Sequence, residues 1–273
     1  MRQAATKLPL PDREKVVLVH SSGSSPRQWA QLASRLASDR RLQVVAPPLV
    51  GHDAEPGWSR NEAPSLAGEV ERLCAHLGRV RGPVHLVGHS YGGAVALKAA
   101  LSGRFEVASI ALYEPSLFAF LEERLDEYRA SPTAIARAIA WSLAIHCPHE
   151  AARIYVDYWN GPRTFATMSP EKSARIVERM PIVKACFDAL VCDEMRAPDL
   201  SALTAPCLVM CGARSPQPSQ DICELVAGHS PRGRLHRFAE LGHMGPVLAP
   251  AAVNAVIEEF LEFVPARSVR ASV

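Results

Sequence analysis

The sequence predicts an α/β protein built on a doubly wound, mostly parallel sheet, and three observations predict it. Five short runs are almost continuously apolar, as strands are when helices cover both faces of a parallel sheet. Helical patterns stand between them, so strand and helix alternate along the chain. The alternation stops between about Pro115 and Pro198, where helix-forming, aromatic-bearing segments follow one another without a strand. Residues 115–197 are therefore expected to form a helical insertion, with 1–114 and 198–273 making the α/β core.

The first predicted strand is VVLVH, Val16 to His20, and the helical pattern SPRQWAQLASRLA follows from Ser25, opened by a Ser-Pro start signal. LQVVAP, Leu42 to Pro47, is the second strand, and SLAGEVERLCAHLG from Ser65 is the next helix, with Ser at its start and Gly78 at its end. VHLVGH, Val84 to His89, runs directly into the helical GGAVALKAALSG from Gly92. VASIALY, Val107 to Tyr113, is the last strand before the break. Ten of the 17 aromatic residues fall between Tyr113 and Phe187, enough to fill the insertion's own core and to line a cleft against the sheet. After the break come CLVMCG (Cys207 to Gly212), the helix PSQDICELVAG from Pro218, the strand RLHRFA (Arg234 to Ala239) and the helix PAAVNAVIEEFLEFV from Pro250.

Composition narrows the function classes. The 273 residues are 48% hydrophobic and 21% charged, an ordinary folded composition. A net charge of +2 with no dense Lys/Arg block calls for neither nucleic acid nor an anionic membrane as partner. A small-molecule substrate is the expected partner, and a homodimer is neither demanded nor excluded by the sequence. MRQAATKLPLPDREK has no apolar signal core and no run of about 18 apolar residues occurs, so a cytoplasmic protein is expected. The seven cysteines are scattered, without C-x-x-C spacing, which argues against a disulfide framework or a zinc site. No motif implies a metal or an organic cofactor.

Gly88-His89-Ser90-Tyr91-Gly92 sits between an apolar strand and a helix. A serine hydroxyl is a poor nucleophile at neutral pH, so an enzyme that uses one needs a sharply exposed Oγ, an adjacent base and donors for the oxyanion. G-x-S-x-G in a strand-turn-helix context supplies the first requirement, because small flanking residues let the turn close. The spacings of a phosphate-binding loop and of a dinucleotide fingerprint are both absent.

With these motifs the chain resembles the α/β-hydrolase superfamily, in a form with a helical cap inserted after the strand ending at Tyr113. The resemblance runs from about Lys15 to Val264. VVLVHSSGSSPRQWAQLA is similar to the family's oxyanion loop, VVAPPLVGHD to its glycine-histidine loop, LVGHSYGG to its nucleophile elbow, and ELGHMGPVLAPAAVNAVIEEFL to its catalytic-histidine loop and closing helix. It implies Ser90 as nucleophile, His243 as general base, and the backbone amides of Ser22 and Tyr91 as the oxyanion hole. Tyr91 opens a helix, where an amide is unpaired and the dipole favours negative charge. The family commonly has His-Gly where this chain has His20-Ser21, so the path of that loop can differ. His20, His52 and His89 are read as structural.

The acid departs from the pattern. The family's usual carboxylate follows the strand CLVMCG, and there this chain carries Ser215 beside Arg214. Some members place the acid one strand earlier, where this chain has Glu114, and neighbouring strand ends lie only about 5 Å apart. Glu114 is therefore the expected acid, an ion pair to Arg214 its alternative role, and Asp221 the reserve candidate. Serine rather than Asp at the elbow disfavours chemistry through an alkyl-enzyme ester. The expected activity is hydrolysis of a small or medium apolar carboxylic ester, lactone or thioester. A second reading, kept open by Ser215, is a non-hydrolytic relative: a lyase, a carbon–carbon bond hydrolase or a ligand-binding module.

Overall fold

A computed structural model describes residues 13–52, 63–78, 82–121, 128 and 131–263. Residues 1–12 of the amino-terminal segment, Asp53 of the glycine-histidine motif, part of the expected insertion and Val264 lie outside the described residues.

Six strands form one sheet: β1 (Glu14–Val19), β2 (Leu42–Val45), β3 (Val84–His89), β4 (Val107–Tyr113), β5 (Cys207–Gly212) and β6 (Gly233–Phe238). Their spatial order is β2-β1-β3-β4-β5-β6 and every pairing is parallel. The apolar runs thus become strands within a residue or two of their expected bounds. Helices α1 (Ala30–Leu36), α2 (Leu66–Leu77), α3 (Tyr91–Leu101), α7 (Gln217–His229) and α9 (Pro250–Phe263) connect and flank them. Between β4 and β5 lie α4 (Pro132–Ala144), α5 (Pro148–Asn160) and α6 (Pro170–Cys192), and a one-turn helix, α8 (Gly245–Leu248), precedes α9. The expected helix from Ser25 begins instead as a 3-10 turn over Pro26–Trp29, from which α1 continues.

The alternation within strands decides which helix covers which face. Val17 and Val19 of β1 pack with Leu73 of α2, Leu97 of α3 and Val226 of α7. Val16 and Leu18 face the other way, with Leu32 of α1 and Val253 and Ile257 of α9. The central strands β1, β3, β4 and β5 are buried on both faces over most of their length, which is why they read as continuous rather than alternating runs, whereas the edge strands β2 and β6 are half-buried.

The strand order places the site. From β1 the chain goes to β2 on one side, then returns to β3 on the other, so the loops leaving β1 and β3 diverge. In open α/β sheets such a switch opens a crevice at the carboxyl ends of the strands. The loop after β1 carries His20 to Ser25, and Ser90 stands at the end of β3.

Candidate active site

Ser90 closes the turn between β3 and α3 with φ 56° and ψ −122°, a strained conformation for a residue with a side chain. The flanking glycines are required by space. A Cβ on Gly88 would lie 2.5 Å from the Gly92 carbonyl oxygen, and one on Gly92 only 2.2 Å from that of His20. Ser90 N–H donates to Tyr113 O at 3.0 Å, and the Ser90 carbonyl accepts from Gly93 and Ala94, so the strain is held by the adjacent strand and the helix.

Ser90 Oγ lies 3.0 Å from His243 Nε2, and His243 Nδ1 lies 2.8 Å from Glu114 Oε2. All three residues are buried. The carboxylate accepts from Nδ1–H, which leaves Nε2 as the acceptor for the Ser90 hydroxyl. Glu114 also has positive φ, 43°, immediately beyond β4. Its second oxygen, Oε1, accepts from Ser215 Oγ–H at 2.5 Å and from Gly212 N–H at 2.7 Å. Ser215 stands where the resemblance puts an Asp, and it holds the carboxylate that reaches in from the next strand. Arg214 pairs with Glu240 instead of Glu114. Asp221 lies on α7 and accepts from Tyr128 Oη–H and Gln217 Nε2–H, so the structure brings Glu114, not the reserve candidate, to His243.

The His243 loop is fastened from several directions. Tyr113 Oη–H donates to Gly242 O at 2.8 Å and His89 Nε2–H donates to His243 O at 2.8 Å. The indole of Trp159, on α5, stacks on the imidazole with centroids 3.7 Å apart and an interplanar angle of 18°. The sequence marks Ser215 only as a missing carboxylate, not as a donor to Glu114, and nothing in the local pattern of α5 marks Trp159 as facing the sheet.

Two histidines shape the loop after β1. His20 Nε2 accepts from Leu49 N–H at 3.2 Å while Nδ1–H donates to Ser21 O, and His52 Nε2 accepts from Gly23 N–H at 2.8 Å. Burial, and secondarily repulsion from His52, lowers the His20 pKa to about 3, so it braces the loop as an uncharged ring. Burial likewise pushes His89 well below its ordinary value. Of the loop hydroxyls, Ser21 Oγ–H donates to Gln28 Oε1 at 2.9 Å.

Ser22, Ser90, Tyr91 and Ser116 line a cavity of about 10 Å³ closed by Phe118, Tyr155, Trp159 and Phe187. That is room for about one water molecule. Tyr91 N–H belongs to the first turn of α3, where an amide has no intrahelical acceptor. A larger groove of about 670 Å³ lies at the amino-terminal ends of the strands, near Glu14, Leu42 and His85. It holds none of the residues just described. Among the described residues no group of three or more His, Cys, Asp or Glu is arranged to hold a metal ion, and no helix is long and apolar enough to cross a membrane.

Comparisons with known proteins agree with this architecture. The family model described as "Alpha/beta hydrolase family" matches residues 16–256. A lipase of Mycobacterium tuberculosis, LipV, is 34% identical over 123 residues, 43% of this chain and 44% of that protein. The chain spans less than half the length of the curated relatives it matches. Among solved structures, MenH from S. aureus superposes with a TM-score of 0.70 at 17% identity, covering 94% of this chain and 96% of that one. A thermophilic esterase from Thermogutta terrifontis gives 0.67 at 25% identity, covering 93% and 91%.

Proposed function

Because this chain belongs to the alpha/beta hydrolase family, we propose that it is a serine hydrolase that cleaves a small or medium apolar carboxylic ester, lactone or thioester through an acyl-enzyme on Ser90. The observation that carries the reading is the unbroken line of hydrogen bonds from Glu114 through His243 to Ser90 Oγ.

In the proposed mechanism Ser90 Oγ attacks the ester carbonyl while His243 Nε2 takes its proton. Glu114 holds the tautomer that makes this possible and stabilises the imidazolium that results. The stacked Trp159 face adds a cation–π contribution to the same cation. Amides of Tyr91 and Ser22 receive the oxyanion, which develops next to a helix N-terminus. His243 then protonates the leaving alcohol, and a water deprotonated by His243 releases the acid and restores Ser90.

The apolar walls, Phe118, Phe187 and Leu190, support an apolar acyl group. Residues 115–197 would then act as a cap, with Trp159 and Phe187 delivered from it to the cavity. Seven cysteines, all free thiols, support a reducing, cytoplasmic setting. Hydrolysis of p-nitrophenyl acetate, butyrate and octanoate, measured for wild type beside Ser90→Ala, tests the reading. Turnover of the shorter esters that vanishes in the variant is expected; a wild-type protein inert to esters, lactones and thioesters, or an undiminished variant, contradicts it.

A further inference from the structure

Ser116 is a second hydroxyl against Ser90. It lies two residues beyond Glu114, where positive φ at Glu114 turns the chain off β4 and across the elbow. Pro115 fits against the elbow helix so closely that a Cβ on Gly93 would come within 3.0 Å of it. Ser116 N–H donates to the carbonyl of Ser90 itself at 3.1 Å. Its Oγ lies 3.2 Å from Ser90 Oγ, and the side chain is buried in the wall of the small cavity.

The direction of this contact follows from counting protons. Ser90 has one hydroxyl hydrogen, and His243 Nε2, 3.0 Å away, is its acceptor. Of the two serines, Ser116 must therefore be the donor.

We propose that Ser116 is a further catalytic residue, a fixed hydrogen-bond donor to the nucleophilic oxygen. The inference rests on Ser90 being the nucleophile. As the Ser90 proton passes to His243 Nε2, partial negative charge appears on Oγ before bonding to the acyl carbon carries it to the carbonyl oxygen. The Ser116 hydroxyl already points at that charge and needs no reorganisation, which is the condition under which a donor lowers a barrier. In deacylation Ser90 Oγ is the leaving group and recovers its proton from His243, and the same donor stabilises it as the acyl bond breaks. Ser116 keeps its own hydrogen throughout.

The attack step can be read without a known substrate. Diisopropyl fluorophosphate phosphorylates an activated serine, forming the Oγ–P bond and releasing fluoride. The second-order rate of labelling is measured by intact mass for wild type, Ser116→Ala and Ser116→Thr, with the melting temperature of each. Loss of one preorganised donor predicts labelling of Ser116→Ala slower by about tenfold to a hundredfold, at an unchanged melting temperature. Ser116→Thr, which keeps the hydroxyl, is expected to recover most of the rate; if its melting temperature shows that the extra methyl does not fit, the Ser116→Ala rate decides alone. Wild-type labelling with an equal rate in Ser116→Ala overturns the role of Ser116 and leaves the nucleophile standing. No label on wild type overturns both.

Discussion

At the scale of single residues, the informative contact is the one Ser215 makes. In the sequence, Ser215 marks only a missing carboxylate, with Glu114 at the tip of the neighbouring strand. What one-dimensional reading does not contain is the division of labour on the carboxylate. Ser215 and Gly212 occupy Oε1 and leave Oε2 to His243. Glu114→Gln keeps the shape and removes the charge that fixes the imidazole, so kcat/KM on an accepted ester should fall about a thousandfold or more with the fold intact. A variant of near-wild-type activity would place the acid elsewhere. Ser215→Ala removes a hydrogen bond to a charged group, a loss of about 1.5–3 kcal/mol, and kcat/KM should fall about tenfold to a hundredfold. Undiminished activity would make Ser215 a bystander. Ser90 and His243 were legible in the sequence because each sits in a short motif at the end of a recognisable element.

At the scale of elements, strands were legible because burial on both faces writes itself as continuous apolar runs. Helix ends were legible where Ser65 caps α2 through Gly68 N–H and Gly78 closes it with positive φ. The 3-10 turn at Pro26 was not, since its pattern matches the start of an ordinary helix. Nor was the placement of α5, because the side of a helix that meets another part of the chain is decided by tertiary packing. Trp159 is the consequence: it is 4% exposed, stacked on His243 and closes a cavity of about 10 Å³. A substrate can enter only if the side chains that close this cavity, Trp159 among them, move. Trp159→Ala should widen the preference toward longer acyl chains, seen as a raised ratio of octanoate to acetate kcat/KM, and should cost about 3–5 kcal/mol of stability. An unchanged chain-length profile would mean that Trp159 does not bound the acyl site.

At the scale of the whole molecule, the α/β class followed from alternation, whereas the order β2-β1-β3-β4-β5-β6 did not, since nothing in a strand's own residues names its neighbour. The folded chain also keeps several histidines neutral. His20, His85 and His89 all have pKa values lowered chiefly by burial, His20 to about 3. As pH falls, the unfolded chain takes up these protons first, so their contribution to stability is fully present above about pH 6.5 and is lost progressively below it. For His20 the loss at pH 5.5 is on the order of 1 kcal/mol. The melting temperature should therefore drop by several degrees between pH 7.5 and 5.5. A flat profile across that interval would show that these rings are not held neutral. The central claim, an activated serine at the switch point of the sheet, is tested most directly by intact-mass analysis after exposure to a fluorophosphonate, for wild type beside Ser90→Ala. One adduct on wild type and none on the variant is the predicted result; folded wild type that takes no adduct, or a variant that still takes one, contradicts the account.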